Sequence, residues 1–375
     1  MHRFISYLKK DVVLTAAWLL AICSMFIIPP SARYISYLDL HTLILLFGLM
    51  TATTGLQGIG FFRRLGESLL LRIRSLRQLE RLLILLCFFS SMLITNDVAL
   101  ITFVPFALEL LQMVNRKDRI VPVVVCQTLA ANLGSMTTPV GNPQNLYLYS
   151  HFGLSIHTFF QTIGPFSLLS LVLLLAITQH TPAEPLSLGL AETSTLTSRA
   201  PYSRRLFVCY LGMFLLCLGT VATLLPLPIL FIFILVIGFF ANPRIFCQID
   251  YSLLITFTGF FIFIGNLKQV AAVSLLLSKL LGGHEVIVSV LASQIISNVP
   301  AAILLSGFTG NGNLLLIGTN LGGLGTLIAS MASLISYKSI ARTCPEQKGN
   351  YFRWFTVANV GFLMILIAVY FLFFV

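Results

Sequence analysis

Along the chain the apolar positions fall into membrane-length blocks separated by short polar breaks. Residues 12–28, 39–59, 157–177, 206–224, 227–240, 251–265 and 355–374 each form such a block and predict spans. One block departs from the pattern. Residues 121–149 carry Asn132-Leu-Gly-Ser-Met-Thr-Thr-Pro-Val-Gly-Asn-Pro-Gln-Asn145 where an ordinary span would carry Leu and Val. In hydrocarbon every backbone N–H and C=O needs an internal partner, so irregular backbone survives at that depth only beside a cavity or buried in protein. Gly141 and Asn142 can end one half-helix and cap the next, with Pro143 at a first helical position that needs no N–H. The prediction is a broken transmembrane helix with polar groups at the break.

The pattern repeats 188 positions later, where Asn320, Leu321, Gly322 and Thr326 answer Asn132, Leu133, Gly134 and Thr138. The second broken helix is therefore placed at 314–337. Ahead of each copy lies a shorter polar interruption, Thr95-Asn96-Asp97 in one half and Ser297-Asn298-Val299-Pro300 in the other. Each is flanked by apolar arms too short for two full spans, predicting re-entrant hairpins at 82–111 and 285–308. The fold class is an all-α polytopic membrane protein of about nine spans plus two hairpins. Residues 1–180 form a first repeat, 181–203 a Pro/Ser/Thr-rich cytoplasmic linker, and 204–375 a linking span and second repeat. Surface helices are expected at 61–81, where six Arg interleave with Leu and Ile, and at 268–281.

Composition agrees: 57% of residues are hydrophobic, 9% are charged, and mean hydropathy is +0.96. The formal charge of +11 would suggest nucleic acid in a soluble protein, but here it sorts by side. With the N-terminus inside, 20 of the 23 Lys and Arg fall on the cytoplasmic face, leaving only Arg33, Lys268 and Lys279 outside. No nucleic-acid partner is expected. That orientation runs the span after Asp39 inward and its counterpart after Asp250 outward, so the repeats are inverted. The seven Cys are scattered without a CxxC, the six His fall at segment ends, and no nucleotide-binding loop occurs. No cofactor, metal or catalytic group is expected, and the protein reads as a transporter, not an enzyme.

Asp97 is the one carboxylate expected deep in the membrane, which makes it a coupling-ion candidate, although an N-cap role is open to it. Asn96 and Asn298 begin half-helices and offer amide groups to an ion, or hydrogen bonds between helices. Thr138, Asn142, Asn145, Thr326, Ser330 and Ser333 fall in the breaks as cavity candidates. Gly134, Gly141, Gly322, Gly323 and Gly325 suit tight backbone geometry.

Thr95-Asn-Asp-Val-Ala-Leu-Ile101, Gly134-x-x-x-Thr-Pro-Val-Gly-Asn-Pro-Gln-Asn145 and Ser297-Asn-Val-Pro-Ala301 resemble the ion transporter superfamily. That group holds arsenite permeases, citrate and dicarboxylate transporters, and sodium/proton antiporters. The likeness covers nearly the whole chain and is nearest to bacterial inner-membrane anion permeases of the citrate-transporter-like group. It implies two inverted repeats, a homodimer, elevator-like movement and a small inorganic or carboxylate ion held between hairpin tips and helix breaks. The implied binding positions are Thr95, Asn96, Asp97, Thr138, Gly141, Asn142, Asn145, Ser297, Asn298, Asn320, Gly322, Thr326 and Ser330, with a proton or sodium as coupling ion. Two features depart from the pattern. The tips are Thr-Asn-Asp and Ser-Asn-Val where dicarboxylate carriers have Ser-Asn-Thr, and the second break reads Thr326-Leu-Ile-Ala-Ser330. The acidic tip suits proton coupling or cation transport, so a cation/proton antiporter is the alternative. A channel or the membrane subunit of a pump is the third.

Overall fold

The computed structural model describes residues 12–70, 73–186 and 203–373, and the regular structure among them is entirely helical. The basic residues Arg3, Lys9 and Lys10 and most of the 181–203 linker lie outside the described residues. The helices are α1 (Val12–Ile27), α2 (Leu40–Gly58), α3 (Phe61–Leu70), α4 (Leu76–Ile94), α5 (Asn96–Met113), α6 (Ile120–Ser135), α7 (Pro143–His151) and α8 (Ile156–Gln179). They continue with α9 (Arg204–Val221), α10 (Leu227–Ala241), α11 (Tyr251–Gln269), α12 (Ala271–Leu281), α13 (Glu285–Ile296), α14 (Asn298–Ser306), α15 (Gly312–Leu321), α16 (Met331–Thr343) and α17 (Lys348–Phe373). Side-chain oxygens of Asp39, Ser75, Asn142, Ser155, Ser203 and Asp250 start helices by accepting a backbone N–H one turn on.

Six helices among the described residues are long and apolar enough to cross a membrane, or seven if the bent pair α12–α13 is one span. The sequence predicts about nine. Four of the nine fall short of that measure: α1 and α10, which have only 16 and 15 residues, and the two broken helices, each split into short pieces; the sixth long helix is instead α5, predicted as a hairpin arm.

The first hairpin departs from its predicted length. Its arms are 19 and 18 residues long, and α5 alone could cross a membrane. The helix runs past the apolar stretch because its charged base is paired. Arg119 donates to both carboxylate oxygens of Glu80 at 2.7 and 3.0 Å, Arg77 to the Thr181 carbonyl at 2.8 Å, and Arg81 to Thr178 at 3.2 Å. Arm length therefore gives no argument that this hairpin is re-entrant. The surface helix predicted over 61–81 is correspondingly shorter: α3 is the amphipathic helix, and Arg77 and Arg81 belong to the base of α4. Arms in the second hairpin stay short, at 12 and 9 residues.

Two packing groups follow. In one, α1 lies along α11 and α2 along α9. Trp18 donates to the Ile255 carbonyl at 3.1 Å, Asn266 to Ser24 at 2.9 Å, and the Tyr210 ring lies flat against Gly55 where any Cβ would collide. In the other, the hairpins enclose the broken helices. The second piece of each broken helix packs against the opposite half: α7 on α14 and α15, α16 on α5 and α6.

Candidate functional site

Each hairpin turns on one residue with positive φ. Thr95 has φ 69° and ψ 152°, and Ser297 has φ 72° and ψ 155°. A β-branched Thr there is strained, at a cost of about 1–3 kcal/mol that surrounding contacts must offset. The next residue repeats a second detail. Asn96 accepts from the Asp97 N–H and Asn298 from the Val299 N–H, both at 3.0 Å. The second tip is tied to its break by the Asn298 N–H, which donates to the Ala329 carbonyl at 3.0 Å.

Both tips meet one cavity of about 100 Å³, together with the N-termini of α7 and α16. Its polar lining is Asn96, Asp97, Gln144, Asp250, Thr256, Ser297, Asn298 and Ser330. Four helix N-termini (α5, α7, α14, α16) converge there, each presenting the positive end of its dipole. Among the described residues no Lys, Arg or His lines it. Asp97 does not cap: Thr95 is the N-cap residue, and the Asp97 carboxylate accepts no hydrogen bond from any described residue, its buried Oδ1 being left without a partner. Of the sequence-derived positions, the cavity thus holds Asn96, Asp97, Ser297, Asn298 and Ser330. It also holds Asp250 and Gln144, which the sequence reading did not select. Gln144 lies in the 132–145 break, and Asp250 is the second-half counterpart of Asp39.

The remaining predicted positions build the frame. Asn132 accepts from Asn96 and from Ser330, both at 3.0 Å, and donates to Ser333 at 3.3 Å. Asn320 accepts from Asn142 at 3.2 Å and donates to Asn145 at 2.6 Å. The pairs 132/320, 142/330 and 145/333 all share the 188-residue offset, so each break grips the other through equivalent positions. Asn142 also caps α7, while Asn145 donates to the Met136 and Thr138 carbonyls at 3.1 Å. Thr138 donates to the Met92 carbonyl, and Thr326 to the Gln294 carbonyl at 3.3 Å, each pinning a break to its own hairpin. A Cβ at Gly141 would strike the Ser135 carbonyl, and one at Gly322 would lie 2.6 Å from Ser293 Oγ. Thr95, Thr138, Gly141, Asn142, Asn145, Asn320, Gly322 and Thr326 therefore shape the site without lining the cavity.

At the base of the first hairpin, outside the apolar segments, Arg116 pairs with Asp118 and Glu184 beside the Glu80–Arg119 pair. The hydrogen bond from Arg116 holds the Asp118 carboxyl below its usual range, and the bond to Glu80 raises the Arg119 guanidinium.

The model of the citrate transporter family matches residues 4–309. The chain belongs to the citrate transporter family. This family member is 30% identical over 344 residues to inner membrane protein YbiR of Escherichia coli, covering 89% of each chain. It is 31% identical over 271 residues to the uncharacterized transporter MJ0456 of Methanocaldococcus jannaschii, covering 71% of this chain and 73% of the relative. A shorter stretch of 128 residues is 34% identical to the silicon efflux transporter LSI3 of rice, reaching 34% of this chain and 26% of that protein. The citrate transporter family member is thus a membrane transporter related to ion permeases.

Proposed function

We propose that the protein is a secondary-active transporter of a small anion or oxyanion, driven by a proton or sodium gradient through alternating access. The observation that carries this is the cavity. Four helix N-termini and the amides of Asn96 and Asn298 can meet negative charge, while Asp97 offers one group to a coupling cation. A volume of about 100 Å³ holds about three waters at roughly 30 Å³ each. With no Lys or Arg among the described residues of the lining, a weakly charged oxyanion fits better than a multiply charged carboxylate such as citrate. The family is named for citrate transport and one relative for silicon efflux, the latter consistent with a small oxyacid.

The repeats are inverted and the hairpins re-entrant in this reading. The shared 188-residue offset of the breaks and the matching backbone turns at Thr95 and Ser297 support the repeat, and the sorting of Lys and Arg by side supports its inversion. The meeting of both tips with both breaks at one cavity supports the second, since hairpins entering from opposite faces would end there. Asp250 closes the predicted cytoplasmic segment 242–250 and lines the cavity, so the conformation is inward-facing, in a multi-pass protein of a bacterial inner membrane with its N-terminus inside. A homodimer is part of the same proposal.

The second reading, a cation/proton antiporter, is favoured by one observation: among the described residues the ionisable groups lining the cavity are the carboxylates Asp97 and Asp250. Reconstituted vesicles decide between these. With ATP absent, anion uptake that collapses with a protonophore or on sodium removal supports the proposal. Sodium efflux in exchange for protons with no anion flux supports the antiporter. Flux that needs ATP and ignores both gradients overturns both.

A further inference from the structure

We propose that the packed rings of Tyr147, Phe257 and Phe261 form the partition that closes the substrate cavity from the outer face, and that the pocket beyond them is the outer vestibule of the same path. The inference rests on the proposed function and names the barrier that its alternating access must open.

Three helices carry the argument, because each lines two cavities in succession. On α7, Gln144 lines the small cavity, while Tyr147 and His151 line a second one of about 430 Å³. On α11, Thr256 lines the first and Phe261, Gly265 and Lys268 the second. Pro300 and Ile303 divide in the same way on α14. The steps from one cavity to the other are three, five and three residues, which at the helical rise makes a wall about 5–8 Å thick. The second pocket opens outward. Its residues His151, Lys268 and Gln269 are exposed, and Lys268 falls on the predicted outer side.

The wall is apolar and tightly packed. Tyr147 and Phe261 are 3% and 5% exposed, and Phe257, which lines neither cavity, is fully buried. Ring centroids lie 5.5 Å apart for Tyr147 and Phe261, 6.4 Å for Tyr147 and Phe257, and 5.9 Å for Phe257 and Phe261, so all three pairs are in contact. The Tyr147 hydroxyl is engaged by α14: Ser306 donates to the Ile303 carbonyl at 2.8 Å and accepts from Tyr147 at 2.7 Å. That leaves apolar ring surface across the path, and an apolar constriction excludes a hydrated ion. The rings also belong to different packing groups, Tyr147 to the broken helices and the two Phe to α11. Relative movement of the groups would part them.

The test is cysteine accessibility of the full-length protein in vesicles, with Cys23, Cys209 and Cys247, which are not buried, replaced by Ala. Leu253→Cys puts a thiol in the substrate cavity, and a small charged methanethiosulfonate is applied from either side. With the rings intact, the inside rate should exceed the outside rate by about tenfold or more. Adding Tyr147→Ala, or Phe261→Ala from the other group, should raise the outside rate about tenfold and keep the inside rate. A variant that merely shifts the protein outward-facing would lower the inside rate as the outside rate rises. Tyr147→Phe keeps the ring and drops only the Ser306 bond, so the outside rate should stay within about threefold. The partition is overturned if the two rates are equal with the rings intact, or if both Ala variants leave the outside rate within about twofold. It is also overturned if the inside rate falls, or if Tyr147→Phe opens the path as far as Tyr147→Ala. Labelling needs no transport, so a lack of gradient-driven anion flux in the intact protein overturns the proposed function alone.

Discussion

Removing Asn132 tests whether the two breaks are locked together. Asn132→Ala deletes two accepted hydrogen bonds and one donated bond, and leaves the buried Asn96 amide and Ser330 hydroxyl without that acceptor. Interhelical hydrogen bonds in membrane proteins average about 0.6 kcal/mol, with a maximum near 1.7. Three of them give roughly 2 kcal/mol, rising to about 5 if the stranded groups find no water. The assay is denaturant unfolding in mixed micelles followed by far-ultraviolet circular dichroism. Asn320→Ala removes the equivalent bonds to Asn142 and Asn145 and should cost the same to within about 1 kcal/mol. A cycle pairing Asn132→Ala with Ser330→Ala should show a coupling of at least about 0.5 kcal/mol. A loss below about 0.5 kcal/mol for Asn132→Ala, or a large loss at one Asn and none at the other, would refute the reciprocal lock.

Two further predictions concern charge and topology. Asp118 has its carboxyl depressed by Arg116, so its small contribution is present at neutral pH and lost as the solution is acidified through the folded-state value; Asp118→Asn should flatten that acid loss in a stability-versus-pH series. A cysteine at Lys117 should react with an impermeant reagent only from the cytoplasmic face, and one at the exposed Gly310 only from outside; the reverse pattern at either site rejects the inverted arrangement.

Much of this architecture was legible in the sequence because the membrane limits what irregular backbone can do. Asn142 and Pro143 announced the start of α7, and the structure has Asn142 as its N-cap and Pro143 at the first turn. The matched Asn132 and Asn320 announced equivalent breaks, and they occupy equivalent places in the cross-lock. The hairpin base was not legible. An apolar-length criterion stops at the first charge, whereas α4 continues through Arg77, Glu80 and Arg81 because partners in the loop and after α8 satisfy them. The division between cavity and frame was also hidden. Asn96 and Asn145 are both buried amides in polar motifs, and only three-dimensional contacts show one at the cavity and the other saturated by backbone carbonyls. Asp250 escaped notice because it reads as a helix cap at a membrane edge, which it is, while also reaching the cavity from another part of the fold.

The central claim is that an ion gradient drives transport through Asp97, and Asp97→Asn tests it most directly. The substitution nearly preserves size, and no hydrogen bond to a described residue is lost with the charge. Gradient-driven accumulation and ion exchange at zero gradient are measured in reconstituted vesicles across a pH and sodium series, normalised to folded protein. The account predicts that accumulation is lost while the protein still folds and inserts. Wild-type accumulation with an unchanged pH and sodium dependence would contradict it.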